Sequence, residues 1–170
     1  MKNLILLAFP LWLFALSIDF DSLSADFTQT VTNEHKKKIV YTGILLVKKP
    51  DKAYWNYKKP VRKEIFINGD EIVVYEPELL QAVMMRKKNL PNIVEILKNA
   101  KELDGGKYKA VSGQKEMIFT MAGGMPERIT YKDDMENSVE IVLKNGKKNA
   151  SAPNSAFEFK APANVDVIKE

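Results

Sequence analysis

Apolar side chains recur at every second position along most of this 170-residue chain. The segment LSADFTQTV, for example, places Leu23, Ala25, Phe27 and Val31 on one side and polar residues on the other. A period of two is typical of β-strands with one buried face, because successive side chains point to opposite sides of a sheet. The chain must therefore fold so that long apolar stripes carried by strands are covered.

About eleven short strands follow from this pattern, the last of them AFEFKA near the C-terminus. Turn signals such as Asn68-Gly69-Asp70, Gly123-Gly124 and Asn145-Gly146 separate them. Such turns favour tight hairpins because glycine and asparagine tolerate positive φ. Many short strands at close spacing predict an antiparallel sandwich or barrel. We expect a single domain over residues 18–170.

One segment has a different period. Between residues 90 and 106, apolar residues lie at helical spacing, Pro91 suits a first turn, and Gly105-Gly106 suits a helix end. A single amphipathic helix among strands must lay its apolar stripe on a sheet face, or act as a plug or lid if the sheet is cupped. The apolar positions of this predicted helix are Ile93, Ile96, Leu97, Ala100 and Leu103.

The first residues predict export. Lys2 precedes an uncharged run from Leu4 to Leu16, and the small residue Ser17 follows. A basic start, a short apolar run and small residues match a secretory signal peptide, so we expect residues 1–17 to be removed by cleavage after Ser17. A membrane anchor is the alternative, but the run is shorter than the ~20 residues that span a bilayer.

The sequence gives little support for an enzyme. There is no cysteine, which excludes thiol nucleophiles and thiolate metal sites. The single histidine, His35, lies in a lysine-rich turn signal, and no phosphate-binding glycine loop or nucleophile elbow occurs. Acids such as Asp133 and Asp134 fall in turn-like segments, although a glycosidase-like pair formed in space is not excluded. We expect no catalytic residue, no metal and no cofactor.

The net charge of +4 is mild, but its cations are clustered. They concentrate in HKKK at 35–38, RKK at 86–88 and KNGKK at 144–148, where turns or strand ends are expected. Lysines at such places keep sheet edges from aggregating. Attraction to anionic lipid head groups or to an acidic partner is the alternative. No signature of nucleic-acid binding is present.

Several blocks resemble the LolA family, the periplasmic carriers of outer-membrane lipoproteins. The blocks are SLSADFTQTV, a strand ending in VKKP, YWNY, NGDEIVVYEPELLQA and a terminal FEFKAPANVDV. The resemblance covers most of residues 22–170 and depends on the order of the blocks. It implies a mainly β (α+β) fold, an incomplete antiparallel β-barrel of about eleven strands with a helical lid.

The resemblance also implies a function as a soluble, monomeric periplasmic chaperone. Such a carrier takes a triacylated lipoprotein from an ABC-type release complex in the inner membrane, shields its acyl chains and passes it to an outer-membrane acceptor. The similar LolB acceptors are lipid-anchored, which a chain without cysteine cannot be. The alternatives are another periplasmic lipid-binding or lipid-sensing module on the same half-barrel, and an interaction domain with a filled interior.

The alternation and the resemblance together predict an acyl-chain cavity, with methionines as adaptable lining. Its expected residues are Trp55, Tyr57, Ile65, Ile67, Val73, Tyr75, Met84, Met117, Phe119 and Met121. The lid face would consist of Ile93, Ile96, Leu97 and Ala100. Lys49 would be the lid latch, at a position where the family usually has an arginine. Ala53 stands where the family usually has a phenylalanine.

Overall fold

The computed structural model of this protein describes residues 20–86, 96–97, 99–112 and 115–170. The predicted signal peptide, Ile93 and the first part of the predicted helix lie outside the described residues. Twelve strands are present in the described part: β1 Ser22–Thr32, β2 Lys38–Lys48, β3 Lys52–Lys59, β4 Lys63–Asn68, β5 Glu71–Glu76, β6 Gln81–Arg86, β7 Lys101–Leu103, β8 Lys107–Ser112, β9 Lys115–Ala122, β10 Met125–Lys132, β11 Ser138–Lys148 and β12 Asp166–Lys169.

All twelve strands belong to one open sheet in the order β12-β6-β5-β4-β3-β2-β1-β11-β10-β9-β8-β7. Neighbouring strands are antiparallel, except that β12 runs parallel to β6. The predicted incomplete antiparallel barrel is therefore confirmed, with β7 and β12 as its two edges. Short 3-10 turns at Pro77–Leu79 and Asn154–Phe157 complete the described elements outside the sheet, together with helical backbone at Ile96 and Leu97.

The face of the sheet that carries Phe27, here called the inner face, holds the main core. Along β1, Leu23, Ala25 and Phe27 are at most 4% exposed, as their alternation predicts. Register places Leu45 and Val47 of β2 on the same face, opposite Ala25 and Leu23. The cluster continues through β11, β10, β9 and β8, so one core joins strands that are far apart in the sheet order. A sheet that curls around its inner face explains this contact.

The opposite face, here called the outer face, has a second and smaller core over β3 to β6. The C-terminal segment covers it. The ring of Phe159 lies 5.6 Å from that of Phe66 and 5.2 Å from that of Tyr75, and Phe157 is 1% exposed. The Lys48 ammonium donates to the Ala152 carbonyl at 2.9 Å, which ties the preceding loop to the sheet. The chain then continues into β12 at the sheet edge.

Two expectations about secondary structure are wrong. The predicted helix was expected to reach residue 106, but Lys101–Leu103 form strand β7, because Gly105 and Gly106 adopt positive φ and close a hairpin onto β8. The segment AFEFKA contains part of a 3-10 turn rather than a strand, since its rings pack against the outer face. With AFEFKA removed and β7 and β12 added, the expected eleven strands become twelve.

Replacing Phe157 by alanine should lower the free energy of unfolding by about 3–5 kcal/mol, because a fully buried ring is lost from the outer-face core. Urea denaturation of purified protein measures this. Leu79→Ala is the control, since Leu79 is 66% exposed and its loss should cost less than about 0.5 kcal/mol. Equal effects of the two substitutions would contradict the assignment of Phe157 to a core.

Candidate functional site

A cluster of aromatic rings lies at the centre of the inner face. The Phe27 ring meets Trp55 at 5.1 Å and Tyr57 at 4.9 Å, both edge-on. Tyr41 meets Tyr57 edge-on at 5.9 Å. Edge-to-face ring pairs are the arrangement that aromatic quadrupoles favour. Strand β3 therefore places its alternating rings, Trp55 and Tyr57, on the inner face.

Gly43 makes room for this cluster. It lies opposite both Phe27 of β1 and Tyr57 of β3. A Cβ at this position would come within 2.7 Å of the Phe27 ring and 2.1 Å of the Asn56 carbonyl oxygen. Any larger residue would therefore push Phe27 off the sheet. The glycine in the strand YTGILL has a packing role that its sequence position alone does not reveal.

Two tyrosines of the inner face, Tyr57 and Tyr131, are uncharged at neutral pH. The Tyr57 hydroxyl donates to Gln29 Oε1 at 2.8 Å. Burial raises the pKa of Tyr57 above its ordinary value of 10.0, and the neighbouring Tyr131 and Tyr41 add to the shift. Burial likewise raises the pKa of Tyr131. Both side chains thus present neutral, largely apolar surface to whatever contacts the inner face.

Leu97 and Phe20 cover one end of the inner face. Leu97 is 3% exposed and Phe20 4%. Together with Leu23, Leu45, Val47, Pro126 and Leu143 they enclose an apolar gap of only about 10 Å³. Ile96 and Ala100 pack against the same core, and the Ala100 N–H donates to the Leu97 carbonyl at 3.2 Å. A gap of that size is comparable to a single water molecule.

This arrangement offers apolar contact. Among the described residues no group of three or more histidines or acids is placed to hold a metal ion. The inner face can bind apolar groups. Leu97 and its neighbours occupy it now, and an aliphatic chain would gain the same burial if they moved aside.

Lys49, the predicted latch, lies beside this cover. Its ammonium is 3.7 Å from Asp21 Oδ1 and 6.0 Å from the centre of the Phe20 ring. Its backbone N–H donates to the Asp21 carbonyl at 2.8 Å, which fixes the start of the described chain against β2. The lysine is therefore next to Phe20, one of the two residues that close the gap.

Register divides the ten predicted cavity residues between the two faces. The inner face holds seven of them: Trp55, Tyr57, Ile65, Ile67, Met117, Phe119 and Met121. The other three, Val73, Tyr75 and Met84, lie on the outer face, because Val73 pairs with Phe66 and Met84, and Tyr75 pairs with Glu64. Expecting these three in the same cavity is an error of strand phase, since EIVVYE is apolar on both sides.

Several inner-face residues were not among the sequence candidates. The most buried are Phe27, Leu45, Val47 and Ala110, each at most 2% exposed. The stripe containing Phe27 is visible in the sequence, so alternation signals its burial, but nothing in the sequence brings it next to Trp55. Of the predicted lid face, Ile96, Leu97 and Ala100 contact the core, and Ile93 lies outside the described residues.

Comparison with known proteins identifies the family. The family model described as "Outer membrane lipoprotein carrier protein LolA" matches residues 19–122. A Helicobacter pylori protein named outer-membrane lipoprotein carrier protein is 36% identical over 89% of this chain and 82% of its own length. A Campylobacter jejuni protein of the same name is 34% identical over 92% of both chains. The chain belongs to the LolA family.

Solved structures agree with this LolA-family fold. A LolA superfamily protein from Nitrosomonas europaea superimposes with a TM-score of 0.53 over 85% of this chain and 93% of its own, at 11% identity. An uncharacterized conserved protein from Thermus thermophilus gives a TM-score of 0.56 over 92% and 94%, at 14% identity. No helix among the described residues has the length and apolarity needed to cross a bilayer.

Proposed function

We propose that this protein is a periplasmic carrier that shields the acyl chains of lipoproteins on their way to the outer membrane. The observation that carries the proposal is the apolar inner face with a small, replaceable cover at Leu97 and Phe20. Membership of the LolA family, whose curated relatives are named lipoprotein carriers, supports it. The cover protects the empty carrier from water, and acyl chains take its place when cargo is bound.

The energetic need for such a carrier is large. Each methylene exposed to water costs ~0.8 kcal/mol, so a free acyl chain of ~16 carbons meets a barrier on the order of 10 kcal/mol in an aqueous space. Contacts with Phe27, Trp55 and the flanking aliphatic side chains would remove most of that barrier. Because Leu97 must be displaced first, net binding stays weak enough for release.

The remaining steps of the cycle belong to the same proposal. The chain is exported with cleavage after Ser17, accepts triacylated lipoproteins from an ABC-type release complex, and hands them to an outer-membrane acceptor. The protein works without catalysis or a cofactor. Lys49 acts as the latch, and the proximity of its ammonium to Asp21 and Phe20 supports this role.

A second candidate is an interaction domain whose interior is filled by its own side chains. The gap of about 10 Å³ beneath Leu97 favours it, because the inner face already has an occupant. The two candidates differ in whether an added acyl chain displaces that occupant. Ligand binding at Trp55 therefore distinguishes them.

A chain beginning at Ile18 has Trp55 as its only tryptophan, and Trp55 packs against the inner-face core. Adding a triacylated lipopeptide should shift its fluorescence emission, because acyl chains replace the present neighbours of the indole. The same peptide without acyl chains is the control and should leave the emission unchanged. An unshifted spectrum, with no lipoprotein released from spheroplasts by the protein, would rule out the carrier function.

Leu97→Ala should raise lipopeptide affinity at least several-fold, while lowering the free energy of unfolding by about 2–5 kcal/mol. The reason is that Leu97 competes with acyl chains for the same surface. Affinity is measured by Trp55 titration and stability by urea denaturation. Leu103→Ala is the matched control, because Leu103 is 40% exposed on β7. Unchanged or weaker lipopeptide binding by folded Leu97→Ala protein would contradict the competition.

Lys49→Arg should slow lipopeptide uptake several-fold, because a planar guanidinium donates to more acceptors at once than an ammonium does. Stopped-flow recording of the Trp55 signal gives the rate. Lys48→Arg is the control, since Lys48 bonds Ala152 and Asn154 on the outer face and should leave the rate unchanged. Equal rates of lipopeptide uptake by Lys49→Arg, Lys48→Arg and the parent protein would show that Lys49 is not the latch.

A further inference from the structure

Two neighbouring hairpin turns place a group of cations at one end of the sheet. The turn from β1 to β2 spans residues 33–37, and the turn from β3 to β4 spans residues 60–62. They are adjacent because Thr42 of β2 pairs with Lys59 of β3. We call their cations the cationic rim: Lys36, Lys37, Lys38, Lys58, Lys59, Arg62 and Lys63.

The rim carries a local excess of positive charge. In the described part of the chain, no carboxylate oxygen lies within 4 Å of a nitrogen of these seven side chains. Seven cations against Glu34 and Glu64 give residues 33–41 and 58–64 a net charge of +5, more than the +4 of the entire chain. Six of the seven are exposed, and the ammonium of Lys63 lies 4.8 Å from the Tyr57 ring centre. The acidic turn of residues 133–137, between β10 and β11, lies next to the β1–β2 turn at the same end of the sheet, so the positive charge of the rim is local.

Exposed aliphatic side chains accompany the cations. Val61, at the tip of its turn, is 48% exposed, and Ile39 and Val40 are 51% and 49% exposed. Ile39 lies on the inner face, in register with Val31. Along β2 the inner face changes from 2% exposed at Val47 to 51% at Ile39. The rim therefore lies beside the end of β2 where the inner-face residues are exposed, opposite the end that Phe20 and Leu97 cover.

We propose that the cationic rim binds the surface of an anionic phospholipid bilayer, with Val61 reaching into its interfacial layer. Six of the seven cations are lysines, whose point charges suit the diffuse field of a lipid surface, whereas arginine forks suit defined carboxylates. Aliphatic side chains that lie between cations bury apolar surface when they insert into the interfacial layer of a bilayer. Docking in this way would hold the open end of the inner face next to acyl chains.

Vesicle flotation tests the rim directly. The purified protein should float with vesicles of phosphatidylethanolamine and phosphatidylglycerol, and not with vesicles of phosphatidylethanolamine and phosphatidylcholine. Binding should vanish near 1 M salt, where the Debye length falls to about 3 Å. The assay contains no lipoprotein, so its failure would leave the proposed carrier function untouched, and failure of lipopeptide binding would leave the rim untouched.

A triple variant, Lys58→Gln with Lys59→Gln and Arg62→Gln, should lower partitioning on the order of a hundredfold, about fivefold for each charge. The matched control replaces Lys107, Lys144 and Lys147 by glutamine, since these are exposed lysines at the other end of the sheet. The control has the same net charge and should lose much less. Equal losses would show attraction to net charge alone and overturn the proposal.

The absence of cysteine allows a second readout that does not depend on affinity. An environment-sensitive dye on Val61→Cys should shift to the blue on anionic vesicles, because its position enters the interfacial layer. The same dye on Ser151→Cys, in an exposed loop at the far end, should not shift. Equal dye responses at the two positions, or no flotation with anionic vesicles, would overturn the proposal.

Discussion

The need to cover the inner apolar face shapes every other part of this structure. Among the described residues no second sheet lies against that face, so other segments of the chain must cover it. Leu97 and Phe20 do so at one end, and the edge-on rings around Phe27 fill the middle. Displacing a cover made of single side chains from short segments requires less free energy than displacing a packed sheet.

The two faces of the sheet are covered in different ways. On the outer face, Phe157 and Phe159 are held by a chain that continues into β12, whose backbone pairs with β6. Lifting that segment would break a strand ladder as well as a small core. Around Leu97, the described contacts are those of side chains and one turn. The outer core therefore stabilises the scaffold.

Charged side chains also lie at particular places on the sheet. Seven of the 26 lysines and arginines lie in or next to the two turns that join β1 to β2 and β3 to β4. Lys49 lies at the opposite end, beside the covered part of the inner face. Lys49 and the covering residues thus lie at one end of the sheet, and the two lysine-rich turns lie at the other. The neutral tyrosines between them keep the interior of the sheet apolar.

The alternation in the sequence is enough to predict an antiparallel β fold with many strands. It also predicts which residues of each strand share a face. Period two contains that information, since alternation is a local property. It could not decide which face of a strand turns inward where both are apolar, so Val73, Tyr75 and Met84 were expected on the wrong side. Only the tertiary structure decided this, because the C-terminal segment covers one face and Leu97 the other. The parallel pairing of β12 and the contact of Phe27 with Trp55 likewise join residues distant along the chain, which no local pattern encodes.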